Sequence, residues 1–407
     1  MKKIFFILLF CILSFFGQTS SAVEKSGELY ELEWDGHPDA LRYEFVLFEE
    51  REGEEIPLYR KEKVWKNKII FSYPPIPVTS DIYWKVRPYD MEGNPLEDPS
   101  ESISFEGSVK KVTRHSPIPD DRYDLVQGMT LLYPVYSFTA FPGAVSYEIE
   151  VTDVYPENTD SVEPSLHRIW SGRTTNTACY DDEPRTGTFY WRVRSLDENG
   201  NALGIWSLPQ ELNTPLEGWT FGLYGDSISH GGGRLSYSPA DGAYSLAFYL
   251  DFPVINLSES GDTSRTMKER FDKDVLPFHV KYLLIMGGTN SLRGGEDPAS
   301  VISDLAYMGE RCREAGITPI YLTLAPINPE NIMNAFGEGT AEDWKDRFAK
   351  VNDWIRTQDH IDTAAFFEQY DTMPGEYAAD GLHTDWKAKL IMADEINRHI
   401  GKFTALS

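Results

Sequence analysis

Ser80-Asp-Ile-Tyr-Trp-Lys-Val-Arg87 and Gly187-Thr-Phe-Tyr-Trp-Arg-Val-Arg194 are two versions of one segment. Each alternates large apolar with polar side chains, and each runs into a turn, Asp90-Met-Glu-Gly-Asn94 in one copy and Asp197-Glu-Asn-Gly-Asn201 in the other. Upstream, Ala40-Leu-Arg-Tyr-Glu-Phe-Val-Leu47 matches Ala144-Val-Ser-Tyr-Glu-Ile-Glu-Val151 at a similar offset of a little over a hundred residues. Period-two alternation belongs to strands, and a repeat unit of about 100 residues built from short strands and turns fits a β-sandwich. In that sandwich Trp84 and Trp191 point inward, while Lys85, Arg87, Arg192 and Arg194 face water. The aromatic residues alternate with charge, so they read as core rather than as a sugar-binding platform.

The Tyr-Trp-Lys/Arg-Val-Arg strand, its Asn-containing turn and the Trp206-Ser207 ending resemble bacterial fibronectin type III-like modules, with Pro99-Ser100 replacing that ending in the first copy. The resemblance implies two such sandwiches, at 25–110 and 124–214, serving as spacers or as docking surfaces for glycan or protein. Pro209-Gln-Glu-Leu-Asn-Thr-Pro215, with a proline at each end, reads as the linker that follows.

Past Trp219 the pattern changes. Apolar runs at 220–224, 253–257, 281–286 and 317–324 look like buried parallel strands, and helical stretches at 243–250, 266–275, 298–315 and 341–358 lie between or after them. That alternation predicts a three-layer α/β/α domain over 218–407, whose ligand site gathers in the loops at the carboxyl ends of the strands.

Four motifs fall in such loops or just before the last helix. Phe221-Gly-Leu-Tyr-Gly-Asp-Ser-Ile-Ser229 ends a strand in Gly-Asp-Ser, and the sharp turn lifts Ser227 above the sheet edge. Leu257-Ser-Glu-Ser-Gly-Asp-Thr263 offers a bare backbone N–H at Gly261, and Met286-Gly-Gly-Thr-Asn-Ser291 exposes Asn290. Asp380-Gly-Leu-His383 precedes a helix running from Trp386 to about residue 400. Each alone has an ordinary explanation: a helix cap, a turn glycine, a turn asparagine, a surface histidine.

Together and in this order the motifs resemble the SGNH (GDSL-type) hydrolase family, whose Ser, Gly, Asn and His blocks fall on Ser227, Gly261, Asn290 and His383. The resemblance covers Trp219 to the end of the chain and implies a mainly parallel, flavodoxin-like sheet. It also implies a serine esterase that needs no cofactor. Two positions depart from the family pattern: Ser291 stands where an Asp usually follows the Asn, and Thr384-Asp385 follow the histidine. The implied chemistry suits the residue types. A serine hydroxyl attacks an ester once a base takes its proton, and imidazole changes protonation near neutral pH. Asp380, one tight turn before His383, would fix the imidazole tautomer. The backbone N–H groups of Ser227 and Gly261 with the Asn290 amide would bind the oxyanion. Asp226 reads as structural, satisfying loop N–H groups.

His230-Gly-Gly-Gly233 lacks the Gly-Lys-Ser/Thr of a phosphate-binding loop and reads as flexible pocket rim, with His230 a candidate acyl or sugar contact. Arg293 is a second candidate substrate contact; Arg265 reads as surface.

The remaining features concern where the protein works. Met1-Lys2-Lys3, the apolar run from Ile4 to Phe16 and Gln18-Thr-Ser-Ser-Ala22 form a signal peptide over 1–22, short for a membrane span. Cys11 lies deep in the apolar run and is a poor lipid-attachment site. The 407 residues hold 38 Lys+Arg against 64 Asp+Glu, a net charge of -26, which disfavours phosphate backbones and anionic lipid surfaces. Cys179 and Cys312 fall in segments assigned to different domains and allow at most one bridge, and no metal-binding motif is present. The expectation is therefore a secreted, periplasmic or cell-surface carbohydrate O-acetylesterase, with a polysaccharide or small acylated substrate and no nucleic-acid partner. A GDSL-type lipase, lysophospholipase or thioesterase is the alternative within hydrolases. A non-catalytic protein binding through its β modules is the alternative outside them.

Overall fold

A computed structural model describes residues 28–404, apart from 38–39, 41, 65–66, 77–80, 91–92, 113, 120–129 and 234–236. The signal peptide expected at 1–22 lies outside the described residues.

The N-terminal half is antiparallel β-structure in two regions. In the first, Glu54–Val64, Arg42–Arg51, Ile82–Tyr89 and Ile103–Ser104 pair in that order, and Lys68–Tyr73, Glu28–Glu33 and Lys110–Lys111 form a second sheet. In the second region, Arg168–Thr174, Ser146–Thr152, Gly187–Leu196 and Gln210–Thr214 pair in order, beside the two-stranded sheet of Ala178–Tyr180 and Val135–Ser137. Trp84 and Trp191 are buried at the centres of the two cores, as alternation predicts. The repeat extends to individual bonds. Val86 N–H and Val193 N–H donate to Ser100 Oγ (3.1 Å) and Ser207 Oγ (3.0 Å), so Pro99-Ser100 and Trp206-Ser207 are equivalent endings. Asp90 and Asp197 each accept, through Oδ1, the N–H of the asparagine four residues on, at 2.8 Å in both turns.

Two sequence expectations fail here. Gln210–Thr214 is not a linker. Its alternating exposure lets it pair with Gly187–Trp191, and the prolines mark only its ends. Arg192 does not face water: its side chain is fully buried, with Nε donating to Glu150 Oε2 at 2.6 Å, Nη2 donating to Asn158 Oδ1 at 2.8 Å and the guanidinium over the Trp206 ring. The chain around 158–165 covers that face of the sheet, which β-alternation alone assigns to solvent. Arg192→Ala would leave Glu150 buried with half its cationic partners gone. We expect a loss of about 3–5 kcal/mol of stability by urea unfolding, whereas a loss below about 1 kcal/mol would show the pair to be dispensable.

The C-terminal half is an α/β/α domain. Its five parallel strands lie in the order Val254–Asn256, Phe221–Gly225, Tyr282–Met286, Thr318–Leu322, His360–Ile361, with helices packed on the sheet. The strand order reverses beside Phe221–Gly225, so loops diverge there and open a crevice at the carboxyl end of the first strand. Every strand read from the sequence is present, and the helices Ser264–Asp274, Pro298–Glu314, Trp344–Ile355 and Trp386–His399 follow the expected stretches. The stretch 243–250 forms two 3-10 turns instead of a helix, because Ser245 is extended (φ -107, ψ 130) between them. A helix at Pro329–Phe336 was missed, although Asn328-Pro329-Glu330 and the left-handed Gly337 are ordinary start and stop signals. No helix among the described residues is long and apolar enough to cross a membrane.

Candidate active site

Ser227 follows the Phe221–Gly225 strand after one residue, Asp226. The turn needs Gly225, because a Cβ there would lie 2.1 Å from the Met286 carbonyl oxygen. Asp226 caps the short Ser227–His230 helix, its Oδ1 accepting the Ile228 N–H at 3.0 Å, which matches the structural role expected for it. Burial pushes the Asp226 carboxyl up to about 7.

Asp380, Gly381, Leu382 and His383 arrive from the far end of the chain. Asp380 Oδ1 accepts the backbone N–H groups of Leu382 (2.8 Å) and His383 (2.7 Å), and Oδ2 lies 2.9 Å from His383 Nδ1. Gly381 has φ +80, and a Cβ on it would meet the Asn328 carbonyl oxygen at 2.4 Å, so no larger residue completes this turn. Burial raises the Asp380 carboxyl, but the imidazole and the two backbone donors outweigh it and hold the group below its ordinary range. A carboxylate only accepts, so Nδ1 carries the ring hydrogen and Nε2 is left to accept from Ser227 Oγ, 3.0 Å away. Ser227 is 8% exposed, the His383 side chain 20% and Asp380 2%. The Phe336 and His383 rings stand nearly perpendicular, with centroids 5.9 Å apart.

The remaining two motifs follow the strands Val254–Asn256 and Tyr282–Met286, which flank Phe221–Gly225 in the sheet. Gly261 is exposed at φ +94, with nothing within 4 Å of where a Cβ would stand. Asn290 lies in the short Thr289–Arg293 helix after the third strand. Its Nδ2 donates to the Asp262 carbonyl at 2.9 Å, and its Oδ1 accepts from Arg293 Nε at 3.1 Å. The second hydrogen of that amide and the N–H groups of Ser227 and Gly261 are donors of a kind from which an oxyanion can accept. A hydroxyl, an oriented base and donors of this kind can carry out acyl transfer.

The sequence model of the GDSL-like lipase/acylhydrolase family matches residues 223–387. Those residues form a GDSL-like lipase/acylhydrolase domain. The chain is also similar to the uncharacterized lipoprotein YqeF of Bacillus subtilis (strain 168), 38% identical over 80 residues. That match spans 18% of this chain and one third (33%) of the relative's length. Among solved structures, a lipase/acylhydrolase from Enterococcus faecalis is 23% identical, over 46% of this chain and 97% of its own, with a TM-score of 0.37. The acetylxylan esterase Axe2 of Geobacillus stearothermophilus, solved as a catalytic mutant, is 20% identical over 46% of this chain and 95% of its own, with a TM-score of 0.35.

Within the GDSL-like domain, the two departures from the family pattern have structural partners. Ser291 Oγ accepts the Ser264 N–H at 3.1 Å, tying the Asn290 segment to the start of the Ser264–Asp274 helix. Thr384 Oγ1 accepts from Lys389 Nζ at 3.1 Å, and the same ammonium lies 3.3 Å from the Ile228 carbonyl. Lys389 is fully buried, which pushes its ammonium down to about 8, and it links the residue after Ser227 to the residue after His383.

One of the two candidate contacts is corrected. His230 is not a pocket rim: it is 1% exposed, with Nε2 at 2.8 Å from the Tyr133 carbonyl and Nδ1 at 2.9 Å from Ser260 Oγ. Tyr133, just ahead of the Val135–Ser137 strand, and Tyr180, from the antiparallel region, close over it, which the neighbouring glycines gave no reason to expect. Arg293 Nε donates to Asn290 Oδ1 and its Nη1 to Glu338 Oε2 (2.8 Å), so two of its three guanidinium nitrogens are held by the fold beside the Asn290 amide. Arg265 is exposed, as read. Glu338 and Lys389 were missed from the sequence, because each acts through a fold contact and neither stands in a motif. Among the described residues, no group of three or more His, Cys, Asp or Glu side chains is arranged to hold a metal.

Proposed function

We propose that this chain is an exported serine carboxylester hydrolase that removes short acyl groups, acetyl foremost, from carbohydrate. The observation that carries the reading is the unbroken line Asp380 Oδ2, His383 Nδ1, His383 Nε2, Ser227 Oγ, with steps of 2.9 and 3.0 Å. Ser227 Oγ attacks the ester carbonyl carbon while His383 Nε2 takes its proton, and Asp380 holds the imidazolium. The tetrahedral oxyanion accepts from Ser227 N–H, Gly261 N–H and Asn290 Nδ2. Collapse expels the alcohol, which leaves with the proton from His383. Water then attacks the acyl-serine with His383 again as base, releasing the acid and restoring the hydroxyl.

The division into two fibronectin type III-like modules at 25–110 and 124–214 and a hydrolase domain at 218–407 belongs to the same proposal. Export is supported by the leader-like first 22 residues and by the lipoprotein named among the chain's relatives. The carbohydrate assignment rests on the architecture, an exported esterase domain behind β modules, and on the net charge of -26, which suits a neutral glycan better than an anionic lipid surface.

A chain-length series of p-nitrophenyl esters, paired with acetylated xylo- and manno-oligosaccharides, tests it. We expect kcat/KM to be highest for acetyl, to fall with each added pair of methylenes, and to be matched by acetate release from the sugars. A maximum at long acyl chains would replace this reading with a lipase. Absence of turnover on every ester would leave the binding-protein alternative.

A further inference from the structure

Gly261 has no side chain to hold it, yet its N–H must point at a fixed spot, so its position depends on its neighbours. Ser260 Oγ is bonded to His230 Nδ1 at 2.9 Å. Because the Tyr133 carbonyl only accepts, His230 carries its hydrogen on Nε2 and Nδ1 accepts the Ser260 hydroxyl. On the other side, Asp262 Oδ2 accepts from Arg270 Nε at 2.6 Å. Arg270 also donates to the carbonyls of Leu257 (2.8 Å) and Gly225 (3.2 Å), the ends of the two strands that lead into the Gly261 and Ser227 loops.

One residue touches both supports. The Tyr133 carbonyl holds His230, its hydroxyl donates to Asp274 Oδ2 at 2.6 Å, and its ring lies 5.4 Å from the Arg270 guanidinium, which itself bonds Asp274 at 3.1 Å. Tyr133 precedes the GDSL-like domain by some ninety residues and stands two residues before the Val135–Ser137 strand of the second antiparallel region. It is nevertheless part of the hydrolase core. The preceding residues continue the parallel sheet at its edge: Leu131 bridges Asn256, whose N–H donates to Thr130 O (3.0 Å) and whose carbonyl accepts Leu132 N–H (2.8 Å). The other side of the segment is tied to the antiparallel region, where Arg185 N–H donates to Leu132 O (2.8 Å) and Asp181 N–H to Pro134 O (2.9 Å).

We propose that Tyr133 is a positioning residue for the Gly261 N–H, so that the antiparallel region completes the oxyanion site instead of acting as a detachable spacer. This rests on the esterase reading above. A donor displaced by a fraction of an ångström loses more against the transition state than against the substrate, so the effect belongs in kcat.

The test uses Tyr133→Phe, Tyr133→Ala, Ser260→Ala and Ser260→Thr in the full chain, with p-nitrophenyl acetate turnover and hydrogen–deuterium exchange of peptides spanning 257–263. We expect kcat to fall about 5- to 10-fold in Tyr133→Phe and Ser260→Ala and about 10²-fold in Tyr133→Ala, with KM within about twofold. Ser260→Thr, which keeps the hydroxyl, should restore most of the loss, and exchange at 257–263 should quicken in Tyr133→Phe and Ser260→Ala. Should Tyr133→Ala fail to fold, the half-buried Ser260 pair decides. Wild-type kcat and unchanged exchange in Tyr133→Phe and Ser260→Ala would overturn the proposal. If the wild-type chain hydrolyses no ester, the esterase reading fails by itself, and exchange at 257–263 alone decides whether Tyr133 holds this loop.

Discussion

Ser227→Ala should lower kcat on p-nitrophenyl acetate by a factor on the order of 10⁶ and leave the fold intact. The size follows from the covalent route: without Oγ there is no acyl-enzyme, and only binding and the oxyanion donors remain to speed attack by water. The fold should not notice, because among the described residues the hydroxyl bonds only the His383 ring, and alanine fits the first position of the short helix, whose cap is Asp226. The melting temperature should stay within a few degrees of wild type, in keeping with the ~1 kcal/mol typical of one hydrogen bond. Activity loss accompanied by unfolding would say nothing about the nucleophile, so both quantities are measured on the same preparation.

Asp380→Asn should cost about 10⁴ in kcat. In the native site Oδ1 accepts two backbone N–H groups and Oδ2 accepts from His383 Nδ1, so every partner of the carboxylate is a donor. An asparagine offers only one accepting atom. If its oxygen stays with the backbone, its NH₂ faces Nδ1, the ring hydrogen moves to Nε2 and the imidazole can no longer accept the Ser227 proton. If the amide turns over, its NH₂ faces two N–H donors and the turn loosens. The acid dependence follows from the same contacts. Because the Asp380 carboxyl sits below its ordinary range, it contributes stability above the unfolded carboxylate value near ~3.9, and that stability is lost as pH falls through the folded value. Near-normal turnover in Asp380→Asn would mean that another carboxylate orients His383.

The parts of this site that were legible in the sequence are those whose chemistry is local. Gly-Asp-Ser after a strand, Asp-Gly-Leu-His before a helix, and a glycine and an asparagine in the loops between carry their geometry within a few residues, and strand-helix alternation fixes the sheet edge where they meet. The buried tryptophans were legible for the same reason, since alternation is a short-range signal. What could not be read depends on contacts across long separations. His230 looks like a mobile rim beside three glycines until Tyr133 closes over it. Arg192 looks like a solvent-facing strand residue until the 158–165 segment and Trp206 cover it. Arg293 looks like a free cation until Glu338 binds its other side. In each case the side chain's partner came from elsewhere in the fold.

The most direct test of the account is covalent capture. The full chain is incubated with diethyl p-nitrophenyl phosphate, which phosphorylates an activated serine and releases p-nitrophenol, and is then digested and mapped by mass spectrometry. The account predicts a single diethylphosphoryl adduct on Ser227, p-nitrophenol released in equal amount, parallel loss of ester turnover, and no adduct in Ser227→Ala. An adduct on any other residue that tracks the loss of turnover, or full turnover after complete treatment with Ser227 unmodified, would contradict it.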